Sequence, residues 1–188
     1  GSANPDDNLV ELWNGTAWSE QADLSVGRAQ RGQAGTTSSA LAFGGGASTQ
    51  MTASTEEWTG AGADIGAWAT SGALNTARTG AATAGVQTAT IASGGNTGTA
   101  ASALAEVYNG SSWTEVGDLN TARISLPGTG TATAALAIGG YDFNPNYTAK
   151  TEQWNGSSWT EVGDLNTARN ALAASGVYTA ALAFGGQP

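Results

Sequence analysis

The chain has 188 residues, enough for one domain with a substantial core; at that length a fold buries roughly 70% of the surface its unfolded chain exposes. Its net charge of −9 is set against only six basic residues, which argues against a polyanionic partner such as nucleic acid. Cys and His are both absent, so disulfide staples, zinc sites of the ordinary kind, His-based triads and Cys nucleophiles are excluded.

Charged residues make up 11% of the chain, well below the usual ~25%, yet seven Trp and regular apolar runs supply the burial that offsets ordering entropy. No apolar run approaches the ~20 residues that span a bilayer, so no membrane partner is expected. No basic-then-apolar leader is visible, and Gly1-Ser2 reads as a cloning scar ahead of which a targeting segment could have stood.

Four repeat units follow in chain order. The first runs from Val10 to Gly45 and contains ELWNGTAWSEQADLSVGRAQ; the second runs from Thr55 to Gly95 and contains EEWTGAGADIGAWATSGALNTAR. The third, Ala105 to Gly140, and the fourth, Thr151 to Gly186, share the run NGSSWTEVGDLNTAR. The landmarks keep their order. First aromatics are Trp13, Trp58, Tyr108 and Trp154; second aromatics are Trp18, Trp68, Trp113 and Trp159. Arginines follow at Arg28, Arg78, Arg123 and Arg169, spaced by 50, 45 and 46 residues, and glycine pairs end at Gly45, Gly95, Gly140 and Gly186. A period of this length points to a repeat architecture in one domain, residues 1–188.

Within a unit the segments are short. In the fourth, Glu152 to Trp154 and Trp159 to Val162 flank Asn155-Gly156-Ser157-Ser158, a strong hairpin signal. A connection carrying Arg169 leads to a small-residue strand, Ala171 to Gly176, then an apolar strand, Ala180 to Phe184. Four short antiparallel strands per period are the signature of a propeller blade, with the Ala- and Gly-rich strand innermost, where large side chains would overpack. The expectation is an all-β propeller of four four-stranded antiparallel blades, strands a to d from inside out.

The glycine pair Gly139-Gly140, then Trp154, Trp159 and Arg169, and their equivalents in the other units, resemble the blades of the kelch family, the family of the galactose oxidase central domain. The resemblance covers nearly the whole chain, although the spacing between aromatics is shorter than usual in three units and longer between Trp58 and Trp68. It implies a kelch-like propeller and says little of function. The copper site of galactose oxidase uses His and Cys ligands absent here, so that activity does not carry over. The chain is also similar to repeat arrays encoded by bacteriophages, which implies a virion-associated or extracellular setting.

The chain opens with a c–d hairpin, Leu9 to about Glu20, and ends with an a–b pair, Ala171 to Phe184. Joining these complementary halves within one chain gives a fourth blade and a closed monomer without exposed edges. The competing arrangements are a chain-exchanged dimer forming one eight-bladed ring, and a fragment of a longer array.

Two candidate ligand-binding groups stand out. Arg28, Arg78, Arg123 and Arg169, placed at the channel mouth, could bind anions bidentately; the other reading has each arginine anchoring the d–a crossover through a carboxylate such as Asp118 or Glu106. The second group is the loop Tyr141-Asp142-Phe143-Asn144-Pro145-Asn146-Tyr147, one of three differing b–c connections (Gly46 to Ala53, Asn96 to Ala103, Tyr141 to Lys150). Aromatic faces beside Asp and Asn suit sugar recognition; alternatively the rings tuck against the next blade. Glu20, Glu115 and Glu161 with Asp23, Asp118 and Asp164 recur per unit, which fits blade surface better than one catalytic constellation. The sequons at Asn14, Asn109 and Asn155 are explained by turn chemistry. No catalytic residue, metal or cofactor is expected. The chain reads as a non-enzymatic recognition or scaffold module, such as a virion-associated adhesin contacting a glycan or protein, with a purely structural propeller as the alternative and a polysaccharide-acting enzyme the weakest reading.

Overall fold

The strands follow the repeat. An N-terminal hairpin is formed by β1 (Glu11–Trp13) and β2 (Trp18–Glu20). Next come β3 (Gly32–Thr36), β4 (Ser39–Phe43), a small excursion of β5 (Gly46–Ala47) and β6 (Gln50–Met51), then β7 (Thr55–Thr59) and β8 (Ala67–Ser71). The series returns as β9 (Ala82–Val86), β10 (Ala89–Ser93), β11 (Ala105–Tyr108) and β12 (Trp113–Val116). It returns again as β13 (Gly128–Thr131), β14 (Ala134–Ile138), β15 (Thr151–Trp154) and β16 (Trp159–Glu161), and ends with β17 (Asn170–Val177) and β18 (Ala180–Gln187). This computed structural model describes residues 8–47, 50–60, 66–143 and 147–188, and among them there is no helix.

The Asn-Gly turns behave as their chemistry dictates. In β15–β16 the Asn155 side-chain oxygen accepts from the backbone N–H of Ser157 and Ser158, both at 2.9 Å, and Gly156 takes φ +95°, which a side chain would resist. The same geometry recurs at Asn14 and Asn109. Each turn sets two aromatics opposite one another, their ring centroids 5.1 to 5.5 Å apart in all four hairpins.

Among the described residues, three antiparallel sheets of four strands result, in the orders β3-β4-β7-β8, β9-β10-β11-β12 and β13-β14-β15-β16. Each is one blade: two strands from one repeat unit and the aromatic hairpin of the next. Registers repeat as well, with Ala42 opposite Glu56, Ala92 opposite Glu106 and Ala137 opposite Glu152. The cores lie between blades. Leu41, Phe43 and Leu74 pack with Ala92, Tyr108 and Trp113, and the Phe43 and Trp113 rings meet at 4.7 Å. Ile91, Leu119 and Leu126 pack with Ala137, Trp154 and Trp159 across the next interface. The small residues of β3, β9, β13 and β17 let these strands stand side by side.

The blades are also tied by backbone. Gly80 N–H donates to Gln30 C=O (3.1 Å), Ser125 N–H to Gly80 C=O (2.9 Å) and Ala171 N–H to Ser125 C=O (2.9 Å), one equivalent residue per unit. Gly44, Gly94 and Gly139 hold positive φ, and a Cβ on any of them would lie 2.7 to 2.8 Å from the arginine carbonyl of the next unit. These repeated close approaches set the angle from blade to blade.

The expected fourth blade is not assembled within the chain. β1–β2 and β17–β18 each remain two-stranded, and the ring is open. Each half is held by its own neighbour: Ser25 N–H, beyond β2, donates to Glu56 Oε2 of the first blade at 2.8 Å, whereas Thr129 Oγ1 of the third blade donates to Gly176 C=O at 2.6 Å. The halves therefore stand at the two ends of the arc, and their free edges are not paired with one another.

Candidate functional site

Three of the four repeat arginines lie inside the blade walls. Arg28, Arg78 and Arg123 are 0–2% exposed. The Arg123 Nη2 pairs with Glu152 at 2.9 Å, its Nη1 donates to the carbonyls of Gly139 (2.8 Å) and Lys150 (2.7 Å), and Nε donates to Thr121. Arg28 pairs in the same way with Glu56, and Arg78 with Glu106. The second carboxylate oxygen is occupied too: Glu152 Oε2 accepts from Asn120 N–H (2.6 Å) and Nδ2 (2.8 Å), and Glu106 Oε2 accepts from Asn75 likewise. Burial lowers the pKa of the Arg28 and Arg123 guanidinium groups, and the facing carboxylates Glu56 and Glu152 oppose that shift. Such a pair keeps its charges only because nearly every donor and acceptor is met.

The anion-binding ring expected at the channel mouth therefore does not fit Arg28, Arg78 and Arg123, whose forks are turned into their own blades. Glu106 was legible as a partner. Glu56 and Glu152 were not singled out, although both sit two residues before the first aromatic, the position Glu106 holds. Asp118 serves a different backbone, accepting from Ala105 N–H at 3.2 Å, as Asp23 does from Val10 and Asp164 from Thr151.

Arg169 departs from this pattern. It is half-buried, donates to the carbonyls of Gly185 (3.0 Å) and Ala183 (3.4 Å), and carries a buried Nε without a partner. No carboxylate pairs with it among the described residues.

The aromatic loop lies between β14 and β15. Its first residue bridges the residue after the repeat arginine, Tyr141 with Ile124, as Gly46 bridges Ala29 and Asn96 bridges Thr79. All three b–c loops thus leave from the same face as the arginine crossovers. Only the third puts a ring at that position. Tyr141 is half-buried and meets Phe143 at 5.8 Å and Tyr147 at 6.2 Å, both edge-on; Phe143 is 50% exposed and Tyr147 36%. Phe143 also takes φ +68°, a costly backbone for a residue of this kind. Asp142 is exposed beside them, and Asn144 lies outside the described residues. The structure brings the aromatic members of the predicted loop together.

A cavity of about 860 Å³ opens where the inner strands converge, bordered by Gly35, Gly85, Gly130 and Gly176 and, at the gap in the ring, by Val10 and Trp18. Among the described residues, no group of three or more acidic side chains is placed to hold a metal.

No family model matches the chain, and no curated protein matches it. Among solved structures, YjhT is similar at 13% identity with a TM-score of 0.69; the match covers 84% of this chain and 52% of that one. This chain thus spans about half the length of that propeller-like protein, and the likeness establishes its fold: an all-β, β-propeller-like arrangement of antiparallel sheets.

Proposed function

We propose that the chain is a kelch-like propeller module that works by recognition without catalysis, and that its contact surface is the b–c loop carrying Tyr141, Phe143 and Tyr147. The observation that carries this reading is the exposed aromatic cluster on one of three b–c loops that leave the same face. Rings set edge to face offer apolar surfaces at different angles, which suits the C–H face of a sugar or an equivalent protein surface, with Asp142 as a polar neighbour. The sparse basic side chains and net charge of −9 favour a ligand that is not polyanionic.

The test is a glycan and peptide array followed by titration calorimetry of the hits. Phe143→Ala and Tyr147→Ala should each weaken binding about tenfold or more, with unchanged melting temperature. Hits indifferent to both variants would move the site elsewhere. A silent array would favour the second reading, a purely structural propeller, which the identical NGSSWTEVGDLNTAR runs of the third and fourth units support.

The same reading includes a composite fourth blade, in which β17–β18 supplies strands a and b and β1–β2 supplies strands c and d. The repeat register specifies the pairing: Ala183 opposite Glu11 and Ala181 opposite Trp13, as Ala42 faces Glu56 and Ala40 faces Trp58.

A further inference from the structure

We infer that the terminal half-blades complete each other between two copies of this chain, making one ring of eight blades in which Arg169 of each copy closes on the partner's Glu11. The inference rests on the composite-blade reading above and adds which molecule supplies the missing half.

Three features of the C-terminal half are built for a neighbour. Arg169 has its carbonyl partner Gly185, as Arg123 has Gly139, but no carboxylate among the described residues. The vacant place is that of Glu56, Glu106 and Glu152, two residues before the first aromatic, and in the first unit that residue is Glu11, which is exposed. Leu182 and Phe184 of β18 are 72% and 53% exposed, whereas Leu41 and Phe43 at the same positions are 1% exposed. Gly185 keeps a φ of +71° with open space where a Cβ would stand, although its equivalents Gly44, Gly94 and Gly139 press on the next arginine carbonyl. On the other half, Trp13 and Trp18 are 47% and 64% exposed, against 5% or less for Trp58, Tyr108 and Trp113. Charge, register and shape are therefore complementary between the two ends.

The partner's identity follows from curvature. Three blade-to-blade contacts repeat one arrangement, with a glycine wherever a Cβ would lie 2.7 to 2.8 Å from the next arginine carbonyl. The resulting arc is open and overlays about half of a longer propeller-like chain. Within that arc β17–β18 and β1–β2 do not pair with each other. A second copy continuing the arc joins both pairs of edges, a closed two-fold assembly with no strand edge left over.

The experiment is sedimentation equilibrium of the full chain with hydrogen exchange of residues 9–20 and 180–187. The expected species has twice the mass of the 18.6 kDa chain, with both segments protected. Glu11→Ala or Arg169→Ala alone leaves an unpaired charge in both composite blades and should raise the dissociation constant at least about a hundredfold. An equimolar mixture of the two variants should recover much of the association, because the mixed pair has one native blade and one blade lacking both charges. A single-chain mass with both segments protected would overturn the inference in favour of closure within the chain. A single-chain mass with both unprotected would overturn the composite blade as well. Association indifferent to both variants, or no recovery on mixing, would place the contact on another face and overturn it too.

Discussion

The three interior blades and the two terminal half-blades are written in almost the same residues and end in different environments. Trp154 and Trp159, inside a full blade, are 1% and 6% exposed; Trp13 and Trp18, in an equivalent hairpin with the same ring separation, are 47% and 64% exposed. The hairpin is thus a local product of its turn and its aromatic pair, whereas burial of its faces comes from the strands and blades on either side. Arg123 and Arg169 teach the same lesson in electrostatics. Both follow Asn-Thr-Ala, yet one is enclosed with Glu152 and the other has only carbonyl partners among the described residues.

The largest effect is expected from breaking that arginine comparison. In a chain diluted enough to prevent association, Arg123→Ala should cost about 3–5 kcal/mol in urea melts, because it strands the buried Glu152 carboxylate. Arg123→Lys should recover part of the loss, since a point charge cannot reproduce the planar fork. Arg169→Ala under the same conditions should cost about 1 kcal/mol, the value of its carbonyl hydrogen bonds. Equal losses at the two positions would mean that the terminal arginine is already enclosed.

A glycine pair sharpens the comparison at smaller scale. Gly94→Ala and Gly185→Ala both strain a positive φ, but only the first drives a Cβ to 2.8 Å from the Arg123 carbonyl. In the diluted chain Gly94→Ala should therefore lose about 1–3 kcal/mol more than Gly185→Ala. At concentrations that favour association the Gly185 variant should lose its advantage, read as a weaker dimer.

The smallest effect concerns Tyr108, which takes the first-aromatic position in the middle blade where the neighbouring blades have Trp58 and Trp154. Its hydroxyl donates to Glu57 and meets Ser71. Burial, reinforced by the hydrogen bond to Glu57, raises its pKa above the ordinary tyrosine value. The folded state then keeps a proton that the unfolded chain releases. The associated stability is complete below the unfolded value of about 10 and is lost as pH rises through the folded value. Tyr108→Phe should flatten that alkaline loss while costing about 0.5–1.5 kcal/mol at neutral pH, checked by melts across the two pH ranges.

How much was legible depended on the range of the interaction. The Asn-Gly turns and the opposed aromatics follow from residues within one unit, and the order of strands within a blade from two successive units; their structure agrees with that reading. The aromatic loop was visible because Tyr141, Phe143 and Tyr147 fall where the other units have Gly46 or Asn96 and their followers. The role of the arginines was less legible, because the candidate of a channel-mouth ring and that of a crossover anchor use the same residue at the same spacing. Only placement inside the wall separates them.

The sequence by itself determined the repeat and the all-β character, because period, turn residues and alternation act over a few residues at a time. Tertiary structure decided three things: that Arg28, Arg78 and Arg123 reach carboxylates 28 or 29 residues away, that Gly44, Gly94 and Gly139 stand where a Cβ would collide with the next arginine carbonyl, and that the two terminal hairpins do not pair with one another. Each is a matter of the angle between blades, which many distant contacts set together and no single stretch of the chain encodes.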